Sequence, residues 1–127
     1  MKATWSEDEE TRDLPVSDWT ELRPIVEAIQ RRGSGSLLQL WIEGQGAELG
    51  VGIGKPRAVF TYQSSLNPPY YVSLGDPDAQ GIETFWYGGE CTEYLARNLV
   101  STDLIIPTID AFLRAPSRPN TVEWEKL

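Results

Sequence analysis

The chain contains no histidine and one cysteine, Cys91. Without histidine it lacks the side chain that most often serves as general base near neutrality and as neutral metal ligand. Triads of the Ser-His-Asp or Cys-His type are therefore excluded. A lone cysteine rules out an internal disulfide. With Glu90 and Glu93 beside it to disfavour the thiolate, Cys91 reads as structural rather than nucleophilic. Cations are also scarce, 11 Lys and Arg against 19 Asp and Glu, for a formal charge of −8. Phosphate affinity comes from cationic side chains that release counterions, so direct nucleic-acid binding is not expected. The acidity points to a basic or neutral partner, or else serves solubility alone. No apolar run has the length of a signal peptide or a membrane span, and the expectation is a soluble, cytoplasmic protein without membrane association.

At 127 residues the chain is expected to form a single domain, 1–127, with a core of its own. Strand-like alternation fills 37–87. Leu38, Leu40 and Ile42 alternate with Leu37, Gln39, Trp41 and Glu43, and Leu49, Val51 and Ile53 alternate with Glu48, Gly50, Gly52 and Gly54. The pattern returns over 57–64, 70–74 and 82–87, where β-branched and aromatic residues dominate. Turn chemistry separates these runs, at Gly44-Gln45-Gly46, Gly54-Lys55-Pro56, Asn67-Pro68-Pro69 and Gly75-Asp76-Pro77-Asp78.

Outside this run, Lys2 to Trp5 suits an edge strand, and the acidic Ser6 to Asp13 reads as a solvated loop. Trp19, Leu22, Ile25, Val26 and Ile29 lie on one helical stripe, capped by Ser17 or Asp18 and closed at Gly33. A second stripe of Leu104, Ile105, Ile106, Ile109, Phe112 and Leu113 follows the cap Ser101-Thr102-Asp103 and ends by Ala115, ahead of Pro116. Gly88 to Glu93 breaks the strand pattern, 94–100 is open between a loop and a turn of helix, and the tail carries a last strand with Val122 and Trp124 on one face. The fold class is α+β: a mainly antiparallel sheet, a five-strand meander plus terminal strands, with two amphipathic helices packed on one face.

The chemical motifs are incomplete. Gly50-Val51-Gly52-Ile53-Gly54-Lys55 has Leu49 and Pro56 where a phosphate loop needs Gly and Ser or Thr, and its glycines read instead as a place of close approach. Asp76-x-Asp78 begins like a calcium loop, yet the position that should hold a bidentate Glu is Tyr87. Glu83, Glu90 and Glu93 form the nearest carboxylate cluster for acid and base work. No cofactor and no metal site is expected. The aromatics Trp41, Tyr62, Tyr70, Tyr71, Phe85, Trp86 and Tyr87 read mostly as core, and those opposite the helices as a possible binding surface.

Several segments carry a resemblance: Leu49-Gly50-Val51-Gly52-Ile53-Gly54, Tyr70 to Asp76, Phe85-Trp86-Tyr87-Gly88-Gly89, Ala111-Phe112-Leu113-Arg114, Arg118-Pro119 and Val122-Glu123-Trp124. Together they resemble the Imm1 family of bacterial immunity proteins, which neutralise polymorphic toxins, many of them nucleic-acid deaminases or nucleases. The chain departs from the family's closing pattern at Pro116-Ser117, where Thr-Gly is expected. The resemblance implies a non-enzymatic binding protein whose partner is a cognate toxin encoded by a neighbouring gene and held so that its active site is occluded, and the net charge of −8 adds the expectation that this toxin is basic. The motifs read as fold determinants and supply no site. Toxin-contacting candidates are Trp41, Glu43, Glu48, Asp76, Asp78, Glu83 and Glu90, chosen for turns or for strand positions away from the helices. The alternative is a small carboxylate-dependent enzyme or calcium-binding module built on Asp76, Asp78, Glu83 and Glu90.

Overall fold

Alternation along the strands sorts side chains onto two faces, and both faces are covered. A computed structural model describes residues 1–7, 10–42, 44 and 46–127, with Glu7 described by its backbone alone. The chain runs β1 (Lys2–Glu7), β2 (Glu10–Pro15), α1 (Trp19–Arg32), β3 (Ser36–Trp41), β4 (Glu48–Ile53), β5 (Arg57–Gln63), β6 (Tyr70–Leu74), β7 (Ile82–Tyr87) and β8 (Glu90–Leu95). A 3-10 turn at Ala96–Asn98, β9 (Val100–Ser101), a second 3-10 turn at Thr102–Leu104, α2 (Ile105–Arg114) and β10 (Glu123–Lys126) complete it. The fold is α+β, with the sheet ordered β10-β6-β5-β4-β3-β1-β2 and β7, β8 and β9 attached beside that path.

Both helices lie where the stripes require. Leu22, Val26 and Ile29 of α1 and Ile105, Ile109 and Phe112 of α2 are buried in one cluster with Leu38, Leu40, Leu49, Val51, Ile53 and Phe60. Ile25 is partly buried against it, whereas Ile106 is exposed. Asp18 caps α1, its carboxylate accepting from Thr20 N at 2.9 Å and Glu21 N at 3.4 Å, and Gly33 closes the helix at φ 68°. Pro24 sits inside the helix. Ser101 Oγ accepts from Asp103 N at 3.2 Å and so caps the 3-10 turn, whereas α2 starts at Ile105 without a side-chain cap, which corrects the expectation that Ser101-Thr102-Asp103 caps the second helix.

Four of the five central strands pair in sequence, β3 to β4 to β5 to β6, all antiparallel. The fifth does not continue the meander. β10 takes the place beside β6, and β7 crosses to meet β3 in parallel at Ser36 and Trp86, then turns back as a hairpin with β8. That hairpin closes the second face. Phe85, fully buried, packs with Leu37, Val59, Val72 and Leu99, and Tyr87 and Tyr94 join them. Gly52 makes room, since a Cβ there would stand 2.8 Å from the Phe85 ring. Gly54, at φ 98°, lets Gly35 N and Ile29 O approach to 3.1 Å of the same added atom. The outer face of the hairpin leaves Ile82, Trp86 and Leu95 exposed, so Trp86 is not a core residue, and Cys91 is exposed as well.

Two other expectations change. β1 is not an edge strand, because β2 lies outside it, and the acidic stretch expected to be a loop provides Ser6 and Glu7 to β1 and Glu10 to Asp13 to β2. Asp8 and Glu9 lie outside the described residues. β2 is exposed along nearly its whole length, so it shows no apolar alternation, and charge along an outer strand protects that edge from further pairing. Residues 90–95 form a strand for a similar reason: Gly88 at φ 59° and Gly89 at φ 86° make the two-residue turn that favours a hairpin.

The C-terminal corner is held by side chains the sequence marks. Trp124 is partly buried against the helix-side core and its indole donates to Pro119 O at 2.7 Å. The Arg118 guanidinium lies 4.2 Å from the Tyr71 ring centroid. A polar network pins the 3-10 turn to the sheet. Asn98 Nδ2 donates to Ser73 O at 2.9 Å and to Glu125 Oε1 at 3.0 Å, and Ser73 Oγ donates to Asn98 O at 2.7 Å while accepting from Phe60 N at 3.0 Å.

Candidate functional site

Register decides which candidates meet. Trp41 on β3 pairs with Glu48 on β4, Glu48 with Gln63 on β5, and Lys2 on β1 with Trp41. These side chains share the face that the β7–β8 hairpin crosses. The Trp41 indole donates to Thr4 Oγ1 at 2.8 Å, and the Thr4 side chain also acts on the Tyr87 phenol. Tyr87 pairs with Glu90 across the hairpin turn, and Asp13 pairs with Thr4 from β2. Trp41, Glu48, Tyr87, Glu90 and Asp13 thus gather at one end of the sheet.

Electrostatics tie this group together. Burial raises the pKa of the Glu48 carboxyl above the usual carboxylate value. Tyr87 is raised by burial first; the Thr4 side chain opposes this, and the charges of Glu48 and Asp13 add to it. Tyr94 is raised by burial and then by Glu48. Among the described residues no cation lies within ion-pair distance of Asp13, Glu48 or Glu90. The result is a carboxylate group around two aromatic rings, with the Lys2 ammonium 5.3 Å from the centroid of the Trp41 ring.

The other candidates are elsewhere. Asp76 lines a hollow with Arg57, at the opposite end of β5 from Gln63, a separation of about 20 Å for a strand of this length. Asp76 and Asp78 are exposed and engaged in their own turn, Asp78 N donating to Asp76 Oδ1 at 2.9 Å. Glu83 pairs with Lys55 at 3.7 Å. Glu43 lies outside the described residues. The carboxylates Glu83, Glu90 and Glu93 do not converge, because Glu83 and Glu90 stand at opposite ends of the hairpin and Glu93, opposite Thr84, points to its other face. Among the described residues no three potential ligands gather as a metal site would need. No helix among them is long and apolar enough to cross a membrane.

A family model for immunity protein Imm1 matches residues 10–126, nearly the whole chain. The chain belongs to the Imm1 family of immunity proteins. No match is found among curated proteins. Membership in Imm1 implies binding of a cognate toxin rather than catalysis. For this Imm1 protein the residues that carry the resemblance are structural: Gly52 admits Phe85, Pro119 receives the Trp124 indole, and Gly88-Gly89 turns the hairpin. Sequence reasoning missed Asp13, which acts on Tyr87 together with Glu48, and Tyr94, which feels the Glu48 charge. The Gly-Gly pair was the available signal, since a two-residue turn there brings Glu90 opposite Tyr87 and Tyr94 opposite Glu83.

Proposed function

We propose that this Imm1 protein neutralises a basic, nucleic-acid-targeting toxin, a deaminase or nuclease, by occluding its active site. The observation that carries the reading is the gathering of Asp13, Glu48 and Glu90, none of them ion-paired among the described residues, around Trp41 and Tyr87. A toxin that acts on nucleic acid needs a cationic groove. Carboxylates presented where phosphates lie compete for that groove, and complementary fields speed the encounter. Aromatic rings at the centre supply buried contact area. The partner is a protein encoded next to this chain, acting in the same cytoplasm.

The test is association with that neighbouring gene product by stopped flow across ionic strength. The association rate should fall by about tenfold or more between low and high salt, as for steered complexes, and the toxin's activity on nucleic acid should be lost on mixing. Binding without inhibition would place the contact away from the active site, and a rate insensitive to salt would reduce the acidity to a solubility device.

A further inference from the structure

Where the β3–β4 turn meets the β5–β6 loop there is a cavity of about 510 Å³ whose walls include Trp41, Ile42, Glu48, Ser65 and Leu66. Glu48 is the one charged residue among the described residues that line it. Leu66 is 78% exposed, a large apolar side chain left in water beside the indole. The volume falls within the range of small-ligand sites, about 300 to 1,000 Å³. The two turns fit closely, since a Cβ on Gly46 would lie 3.0 Å from Leu66 N, and Gln63 Nε2 donates to Gly46 O at 3.4 Å.

We propose that this cavity receives an arginine side chain of the toxin, its guanidinium stacked on Trp41 and paired with Glu48. The inference rests on the toxin-binding function proposed above and names the contact at its centre. Glu48 is half-buried, and among the described residues no cation lies within ion-pair distance of it. A carboxylate partly removed from water without a counter-ion is costly to the free protein, and a partner's cation relieves that cost. An anion would meet the Glu48 charge, and a purely apolar anchor would desolvate it further. A guanidinium suits both walls, because its plane stacks on an indole while its edge offers paired donors to a carboxylate. Ile42 and Leu66 suit the methylene stem. The Trp41 ring already attracts one cation: Lys2 Nζ lies 5.3 Å from its centroid, and Lys2 is outside the cavity lining.

The experiment measures affinity for the catalytic domain of the cognate toxin by calorimetry, with melting temperatures, for the wild type, Glu48→Gln and the charge-matched control Glu123→Gln. Glu123 is exposed on β10, paired with Leu74 at the far end of the sheet. Glu48→Gln should weaken binding by about 30-fold or more with no fall in melting temperature, as truncating one member of a buried pair does, while Glu123→Gln stays within about threefold. An arginine-to-alanine scan of the toxin should then find one position whose loss is large against the wild type and small against Glu48→Gln. Unchanged binding by Glu48→Gln, or no coupled arginine, overturns the inference and leaves the toxin-binding reading standing. A wild type that fails to bind the toxin removes both.

Discussion

Asn98→Ala tests how the second face is anchored. The side chain is buried and both hydrogen bonds from its amide are made, one to the backbone carbonyl of Ser73 and one to the carboxylate of Glu125. A neutral bond contributes about 1 kcal/mol net and a bond to a charged group about 1.5 to 3 kcal/mol. Glu125 keeps Arg97 at 3.2 Å and some access to water, so the second figure falls at its low end, and the total loss is about 2.5 kcal/mol. For 127 residues the unfolding entropy is about 0.27 kcal/mol/K, which converts this loss to a fall of about 9 °C in melting temperature. Calorimetry reads that directly, and a double cycle with Glu125→Ala should be non-additive because the two residues share one bond. A shift under about 2 °C, or strict additivity, would refute the claim that this network carries the attachment of the 3-10 turn to β6 and β10.

Trp124→Ala should cost about 3 kcal/mol, near the low end for tryptophan truncation because the ring is only partly buried, and toxin affinity should be unchanged once folded protein is compared. Gly52→Ala should destabilise by about 1 to 3 kcal/mol in urea titration, since the added methyl meets Phe85 and Val59 in a filled space. For Glu48 the folded pKa is raised by burial, so the folded state takes up this proton at higher pH than the unfolded chain. The associated stability is fully present below the unfolded carboxylate value and is lost as pH rises through the raised folded one. Glu48→Gln should therefore melt above the wild type at neutral pH, and the gap should close on acidification; a gap independent of pH would count against a strained carboxylate.

The helices were legible because their apolar residues fall at helical spacing and something has to cover them; Leu22, Val26, Ile109 and Phe112 are all in the core. The central strands were legible through period two. That signal is silent on pairing, and so β7 was placed beside β6, although its Phe85 belongs over Leu37 and Val59 on the other side of the sheet. β2 and β8 are held by backbone ladders with exposed polar side chains and leave little hydrophobic trace. The candidate site was half legible. Trp41 and Glu48 are neighbours by the register of the β3–β4 hairpin, whose strands are adjacent in sequence, whereas Asp13 and Tyr87 reach them only through long-range pairing. Asp76, Asp78 and Glu83 qualify only as turn or outward carboxylates, a criterion that carries no information about which end of a strand they occupy.

The crossing of β7 has a kinetic consequence. Hairpins β3–β4, β4–β5, β5–β6 and β7–β8 each close over a short loop, but Trp86 meets Ser36 across fifty positions of chain. Closing long loops is slow because their entropy is lost before any contact rewards it. The seating of the β7–β8 hairpin is therefore expected as a late step, with Leu37, Val59 and Val72 facing water until it occurs. The face proposed to meet the toxin, which depends on Tyr87, is complete only after that step. On this ordering, the surface proposed to meet the toxin is expected to form last in a newly made immunity protein of this build.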